Sequence, residues 1–178
     1  MTDDAEAWMG QLWLENYDAI LRFAYRRLPD QAEEVASETF MTAWRRRADV
    51  PKEARPWLFV TAKNIILTRT RGQMRYDALL TRAKHEHMVE IQPDVADLVT
   101  ERAGMRFAWL SLSSTEREAL ALVGWDGLDN AQAAEVAGCT TATFAVRLFR
   151  ARRRFVSALT SATRHAPQPY QEGANSVS

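Results

Sequence analysis

Residues 126–155, DGLDNAQAAEVAGCTTATFAVRLFRARRRF, decide the fold of the C-terminal part of this protein. Asn130 can cap a short helix over 131–137, and Gly138 can take the positive φ that lets the chain leave that helix and turn. A second helix is predicted to begin near residues 140–141. The stretch therefore predicts two helices joined by a tight turn, a helix-turn-helix.

Apolar side chains in the same stretch recur at spacings that let the two helices cross and share one small core. They are Ala134, Ala137, Cys139, Phe144, Leu148 and Phe155. The second helix also carries five arginines within eight residues, Arg147, Arg150, Arg152, Arg153 and Arg154. This charge density is typical of a phosphate-binding surface, although a solvated basic face on an ordinary helical hairpin would show the same run. The turn in front of the arginines favours DNA binding.

Charge is distributed in blocks, although the formal net charge of the 178 residues is zero. Residues 1–40 carry a net charge of −6, and residues 41–84 carry +8. Residues 85–101 are again acidic, at −5, and residues 139–178 are basic, at +5. Two basic surfaces are therefore predicted within a neutral chain, and either could meet a nucleic acid.

The single cysteine, Cys139, excludes an intrachain disulfide and a thiolate zinc site. Its apolar position in the turn favours a small core residue over a redox sensor. No apolar run is long enough to span a membrane, and the acidic first twenty residues do not fit a signal peptide. These features predict a cytoplasmic protein without membrane insertion.

Helical periodicity predicts an all-α protein made of two small domains. In the first domain, helices over 8–28 and 31–46, and a third that begins at Pro56, form a three-helix-type bundle, while residues 1–7 are frayed. The predicted inward side chains are Leu12, Trp13, Tyr17, Ile20, Leu21, Ala24 and Leu28 in the first helix, Val35, Ala36, Phe40, Ala43 and Trp44 in the second, and Leu58, Ala62, Ile65 and Ile66 in the third.

The second domain is predicted to have four helices and to end in the helix-turn-helix. One helix passes through Phe107, and Ser113 or Ser114 caps the next, with Glu116 in its first turn. An acidic linker separates the domains. The predicted divisions are 8–75 and 104–163 for the domains, 76–103 for the linker and 164–178 for a disordered tail.

Three segments together resemble the sigma-70 family of bacterial RNA polymerase sigma factors, in its extracytoplasmic-function (ECF) type. QAEEVASETFMTAWR at 31–45 is similar to the family's core-binding helix, and RPWLFVTAKNIILTRTR at 55–71 is similar to its promoter-melting helix. The third segment, LSSTEREALALVGWDGLDNAQAAEVAGC at 112–139, continues into RLFRARRR at 147–154. The order and separation of the three segments carry the resemblance.

The resemblance implies a non-enzymatic protein that binds core RNA polymerase, directs it to promoters and helps to open the DNA. It implies contact with the clamp helices of the largest polymerase subunit, an anti-sigma factor as a further partner, a monomer when free, and no cofactor. The polymerase-binding positions that match are Glu33, Glu34, Val35, Glu38 and Phe40. From the residues alone, acids at the start of a solvated helix are the simpler interpretation.

The resemblance also implies a minus-10 site, where one DNA strand is opened. Such a site needs an aromatic ring for stacking, an amide for base edges and cations for the backbone. The matching positions are Trp57, Lys63, Asn64, Arg69, Arg71 and Arg75. The loop over 47–55 would form the wall of the base pocket, with Val50 as its only sizeable apolar side chain. Core packing is the competing interpretation of Trp57, and a plain surface amide that of Asn64.

In the second domain, the resemblance implies that the recognition helix reads the minus-35 element in the major groove. The matching positions are Thr140, Thr141, Thr143, Arg147 and Arg150. The sequence departs from the family at Ala145 and Val146, where relatives present a basic residue and then a small polar one. Base readout should therefore be weakened more than phosphate anchorage. Either the upstream element is unusual, or Arg147 and the threonines carry more of its readout.

Several alternatives remain open from the sequence. The acidic linker could thread through polymerase toward the RNA exit path, as in the family, or act as a plain tether. His85 and His87 flank Glu86, but without further ligands nearby this pattern predicts a polar linker rather than a metal site.

The competing functions are a stand-alone helix-turn-helix regulator, which the first-domain segments disfavour, and a helical interaction module without a DNA role. An enzyme is the weakest interpretation, because no Gly-rich phosphate loop, nucleophile with a base or metal constellation is recognisable.

Overall fold

The computed structural model describes residues 2–81 and 99–164, and within these ranges every regular element is a helix. The elements are α1 (Thr2–Tyr25), a 3-10 helix (Pro29–Gln31), α2 (Ala32–Arg45), α3 (Ala54–Thr81), α4 (Val99–Leu110), α5 (Ser114–Gly124), α6 (Asn130–Ala137) and α7 (Thr141–Arg164). Helices α1–α3 pack together as the N-terminal unit, and α4–α7 pack together as the C-terminal unit. The predicted all-α fold, with three helices followed by four, is confirmed.

Large apolar side chains from all three helices fill the core of the N-terminal unit. Ile20 and Phe23 of α1, Phe40 of α2, and Leu58 and Phe59 of α3 are almost completely buried. The rings of Phe23 and Phe59 meet edge to face, with centroids 5.0 Å apart. Because burying one such side chain contributes about 1.5–3 kcal/mol, packing rather than helix propensity holds this unit together.

The structure corrects the predicted inward face of α1. Phe23, which the prediction left out, lies at the centre of the buried stripe. Trp13 lies at the edge of that stripe, 38% exposed, where it stacks on Tyr17 with ring centroids 4.2 Å apart. Residues 2–7, predicted to be frayed, are helical, and α1 ends at Tyr25 rather than at residue 28.

Trp44 is a second wrong inward prediction. It lies near the end of α2 and is 36% exposed, with the guanidinium of Arg47 5.6 Å from its ring centroid. Ala43, which was also predicted to point inward, is buried. In α3 the prediction omitted Phe59, whose side chain is fully buried. A helical stripe found by counting is uncertain by about one residue at its edges, and packing decides which residue is central.

Side-chain caps start two helices of the C-terminal unit. At α5, the Ser113 hydroxyl accepts the N–H of Glu116 at 3.3 Å, and the Glu116 carboxylate accepts the N–H of Ser113 at 2.9 Å. At α6, the cap is Asp129 rather than the predicted Asn130, and its carboxylate accepts the N–H groups of Ala131 and Gln132 at 2.8 and 2.9 Å. Both N–H groups donate to the same oxygen, Oδ1, and Asp and Asn are about equally good capping residues.

The α6 helix ends as predicted. Gly138 takes a left-handed conformation, with φ of 70°, and its N–H donates to the carbonyl of Glu135. Glycine has no Cβ to strain this conformation, so the chain can reverse between α6 and α7 at little cost.

Replacing Ser113 by alanine should lower the free energy of unfolding of the C-terminal unit by about 1 kcal/mol, because one N-terminal amide of α5 loses its cap. The backbone hydrogen bond from Ser113 is the main cause that lowers the pKa of Glu116. The ionised Glu116 carboxylate therefore adds its full share to the free energy of unfolding above the ordinary carboxyl pKa of 4.5. This share is lost as the pH falls through the lower pKa of the folded state. Urea titrations at several pH values measure both effects, with the exposed Ser157→Ala as control; equal loss in the two variants would contradict the capping role.

Both ends of the predicted linker are helical, because α3 continues to Thr81 and α4 begins at Val99. The remaining linker residues, including His85, Glu86 and His87, lie outside the described residues. The predicted tail after Arg164 also lies outside them.

Candidate nucleic-acid interface

The start of α7 projects from the turn at Gly138. The Thr140 hydroxyl accepts the N–H of Thr143 at 3.2 Å, and the two hydroxyl oxygens lie 2.8 Å apart. Thr140 therefore caps α7, while Thr141 and Thr143 are exposed in its first turn. Phe144, which follows directly, is fully buried and fixes the rotation of the helix against α5 and α6.

Cations lie on α7 beside this buried face. Arg150 is exposed and Arg147 is half-buried, and neither forms an ion pair with any residue that the structure describes. Arg154, one turn further along, is different, because its guanidinium donates to the Glu116 carboxylate at 2.9 Å. Unpaired guanidinium groups can donate to phosphate oxygens without first losing a partner. Of these three arginines, Arg147 and Arg150 are therefore the ones that are available to bind phosphate.

An open groove of about 550 Å³ lies between the start of α5 and the first turns of α7. Thr115 lines it on the α5 side, and Thr143, Val146, Arg147 and Arg150 line it on the α7 side. Backbone N–H groups at a helix start and cations along a neighbouring helix both favour an anionic ligand. Four of the five predicted minus-35 residues belong to α7, and the structure brings Thr143, Arg147 and Arg150 together on this groove.

The predicted minus-10 residues lie on α3 and differ in solvent exposure and in hydrogen bonding to the rest of the protein. Asn64 and Arg71 are exposed, and the amide of Asn64 has no hydrogen-bond partner among the described residues. Trp57 is partly buried and packs against the core, as its competing interpretation held. Val50 of the preceding loop also packs against the core. Arg75 belongs to α3, although its side chain is not among those described.

Two predicted minus-10 cations already have protein partners. The Arg69 guanidinium donates to the Glu38 carboxylate at 2.7 Å and to the Gln31 side chain at 2.8 Å. The Lys63 ammonium donates to the Glu118 carboxylate at 2.8 Å and to the Val136 carbonyl at 2.9 Å. Either cation would have to leave these partners before it could meet a DNA phosphate.

The Lys63 contacts belong to an interface between the two units, where α3 packs against α6. Arg26 of the N-terminal unit forms an ion pair with the almost fully buried Asp126, and Arg55 donates to the Asp126 carbonyl at 2.9 Å. Burial lowers the pKa of Arg27 to about 10, and the nearby Glu118 carboxylate opposes this shift. Four cations on one unit thus face carboxylates and carbonyls on the other.

Sequence reasoning missed the interface residues Arg26, Arg55 and Asp126. Arg26 and Asp126 are 100 positions apart, and no local pattern marks either as a partner of the other. Sequence reasoning also did not predict that Val146 lines the groove. The available signal was that valine stands where relatives have a polar residue.

The predicted polymerase-binding residues of α2 divide between two faces. Glu33, Glu34 and Glu38 are exposed, whereas Val35 and Phe40 are 0% and 1% exposed and belong to the core. In this arrangement α1 and α3 cover the side chains of Val35 and Phe40, which are therefore not exposed for direct contact with a partner. They hold the acidic face in place from inside.

Within the described ranges, no three His, Cys, Asp or Glu side chains are grouped so that they could bind a metal ion. Cys139 is a free, half-buried thiol packed against the core. Among the helices that the structure describes, none combines the length and apolar character that crossing a membrane requires.

Two family models match the chain, one for each helical unit. Sigma-70 region 2 matches residues 12–76, and sigma-70 region 4 matches residues 108–155. Among curated relatives, the ECF RNA polymerase sigma factor SigL of Mycobacterium tuberculosis is 28% identical over 152 residues, which cover 83% of this chain and 86% of that protein. The ECF RNA polymerase sigma factor SigC of the same species is 30% identical over 144 residues, covering 72% of this chain and 70% of SigC.

Solved structures show the same helical arrangement. The sigma factor RpoE of Bartonella quintana, crystallised with the anti-sigma factor NepR, is 26% identical, with a TM-score of 0.60 over 85% of this chain and 96% of that one. CnrH, in complex with the cytosolic domain of CnrY, is 20% identical, with a TM-score of 0.56 over 88% of this chain and 90% of that one. The second likeness supports the fold alone.

Proposed function

We propose that this chain, which belongs to the sigma-70 family as an RNA polymerase sigma factor of the ECF type, divides promoter recognition between its two helical units. As a sigma factor it supports promoter-specific transcription initiation with RNA polymerase, a non-enzymatic role. The observation that carries the division is the presence of a region 2 match and a region 4 match, in that order, on two separately packed units of one chain.

In this proposal, the C-terminal unit binds the minus-35 element through the exposed face of α7. Arg147 and Arg150 anchor phosphates, because neither has to break an ion pair within the described part of the chain. The exposed Thr141 and Thr143 lie in the first turn, where a recognition helix meets base edges or phosphates. Thr140 contributes less, since its hydroxyl already accepts the N–H of Thr143.

The N-terminal unit opens and binds the minus-10 element through α3. Asn64 is the residue suited to hydrogen-bond an unpaired base, because its amide is exposed and unpartnered among the described residues. Arg71 and Arg75 supply cations for the strand, and Trp57 supports the surface from a partly buried position. Lys63 and Arg69 can join them only after exchanging their protein partners for phosphate.

Core polymerase binds the acidic face of α2 in this proposal. The exposed Glu33 and Glu34 would meet a basic surface on the clamp helices of the largest subunit. Glu38 can join them only by sharing or leaving its ion pair with Arg69. An anti-sigma factor is the proposed second partner, because the similar RpoE was crystallised with one. We further propose a cytoplasmic monomer when the protein is free.

Run-off transcription with core polymerase from the host tests the function. Addition of the protein should produce a transcript that starts at a specific promoter, located beforehand by sequencing transcripts after overexpression. Glu33→Lys/Glu34→Lys should abolish this transcript and weaken binding to core polymerase, because both changes invert the proposed docking charge. Lys has a helix propensity close to that of Glu, and the loss of favourable charge in the first turn of α2 is small beside the buried contacts of that helix, so folding should persist. Transcription that is unchanged by addition of the wild-type protein would overturn the proposal.

Replacing Asn64 by alanine should impair promoter opening by about tenfold or more while leaving initial binding of the closed promoter nearly unchanged, because base contacts form only after unpairing. Permanganate reactivity of unpaired thymines measures opening, and a gel shift at low temperature measures closed binding. Gln11→Ala removes an exposed amide from α1 and serves as the control. Wild-type permanganate reactivity in the Asn64 variant would exclude the proposed role.

A further inference from the structure

Val146 lies on the exposed side of α7, where Thr143 and Arg150 on one side and the exposed Phe149 on the other are its neighbours one turn away. Its side chain is 50% exposed and lines the groove between α5 and α7. Ala142 and Arg150 lie one helical turn to either side of it. Exposed apolar surface is itself ordinary, and Val156 on the same helix is 60% exposed. The position of Val146 in a cationic groove is what separates it from Val156.

The groove suits a ligand that combines negative charge with one apolar group. Arg147 and Arg150 provide the positive charge, and Thr115 and Thr143 provide hydroxyls. The major groove of DNA presents donors and acceptors on every base edge, and its only apolar group is the C5 methyl of thymine. Resting on the proposed function of α7, we infer that Val146 reads the C5 methyl group of a thymine in the minus-35 element.

The geometry of the helix favours this contact. Side chains of an α-helix tilt toward its N-terminus, which is the end of a recognition helix that approaches the bases. Valine holds one strongly preferred χ1 rotamer in a helix, so its two methyl groups are already oriented and little side-chain entropy is lost on contact.

Glu116 also lines the groove, but its charge does not oppose DNA binding strongly. The Glu116 carboxylate accepts one hydrogen bond from the guanidinium of Arg154 and one from the backbone N–H of Ser113, each at 2.9 Å. Its charge is therefore compensated within the C-terminal unit, and Arg147 and Arg150 determine the local potential at Val146.

This contact assigns a base preference to a position that lacks a polar side chain. Valine cannot hydrogen-bond a base edge, so it discriminates by burying a methyl group that cytosine, adenine and guanine do not present at the same place. Loss of one buried methyl contact should weaken binding by about three- to fivefold. The departure at Val146 therefore changes the kind of readout instead of removing it.

The first arm of the test is selection from duplexes that carry the located promoter with only its upstream element randomised. The selecting species is holoenzyme with the wild-type chain, Val146→Ala or the matched control Val156→Ala. We expect one thymine position to be enriched by the wild-type and the control and to lose its preference only in Val146→Ala. The same thymine enriched by all three would overturn the inference.

The second arm removes the methyl group alone. Deoxyuridine replaces the selected thymine, which leaves base pairing and the other groove atoms unchanged. Wild-type holoenzyme should bind this duplex about three- to fivefold more weakly than the thymine duplex, and Val146→Ala should bind the two equally. Equal wild-type affinity for both would overturn the inference while leaving the proposed function intact. If no sequence is enriched by any holoenzyme, the proposed function fails, and the inference fails with it.

Discussion

Holoenzyme that carries Arg147→Ala and Arg150→Ala together is expected to bind its promoter about a hundredfold more weakly than wild type, since each lost charge-assisted hydrogen bond is worth about tenfold. Both side chains line the groove between α5 and α7, and neither is held by an ion pair within the described ranges. Neither arginine therefore has to break an ion pair there before it binds phosphate. Both substitutions keep good helix formers, so α7 itself should persist.

Salt dependence separates phosphate anchorage from base readout. If both arginines bind phosphate, the slope of the logarithm of the binding constant against the logarithm of salt concentration should become shallower by about two. The loss should then also be similar across different upstream sequences. Filter binding or fluorescence anisotropy at several salt concentrations measures the slope.

Arg152→Ala is the matched control. Arg152 is exposed on the same helix but follows Arg150 by two residues, which places it about 200° around the helix axis. Its replacement should cost much less affinity than either single replacement at Arg147 or Arg150. Equal losses at all three positions would mean that net charge, and not the α7 groove, determines binding.

Replacing Glu118 by glutamine should increase the affinity of the free protein for single-stranded minus-10 DNA by about tenfold, the equivalent of one partly buried charge-assisted hydrogen bond. At the interface between the two units, the Lys63 ammonium is 2.8 Å from the Glu118 carboxylate and 2.9 Å from the Val136 carbonyl. Because DNA phosphate and Glu118 compete for the same cation, weakening one interaction favours the other.

Anisotropy with a fluorescein-labelled oligonucleotide carrying the non-template strand of the located promoter measures this affinity. Glu135→Gln removes the same charge from the exposed face of α6 and should change little. Small-angle scattering should show an unchanged radius for Glu118→Gln, because the Arg26–Asp126 ion pair and the packing of α3 against α6 remain. A DNA affinity that stays at the wild-type value would refute competition at Lys63.

Local features of the fold could be predicted from the sequence to within a few residues. Gly138 was placed correctly at the end of α6, and the capping box at Ser113 and Glu116 follows from their spacing of three. Even the error at Asn130, where Asp129 is the cap, is a shift of one position between two good capping residues. These predictions succeed because caps and turns are hydrogen bonds between residues that are neighbours in the chain.

The predicted site is less complete, because exposure and pairing depend on how the helices pack. Val35 and Phe40 match a binding helix in sequence, yet packing buries them, while Glu33 and Glu34 stay in water. Similarly, the sequence alone indicates that Arg69 is an unpaired cation. In the structure, α3 packs beside α2 and brings Arg69 to Glu38, 31 positions away.

What the sequence by itself determined is the order of the helices, the capping box of α5, the turn at Gly138 and the basic character of α7. All of these rest on interactions within about four residues or on charge, which composition already shows. Only the tertiary structure decided which cations are available to DNA: Arg147 and Arg150 are unpaired within the described residues, whereas Lys63 is held by Glu118, 55 positions later. The reason is physical, since an ion pair depends on the distance between two side chains, and for residues far apart in the chain that distance is set by helix packing.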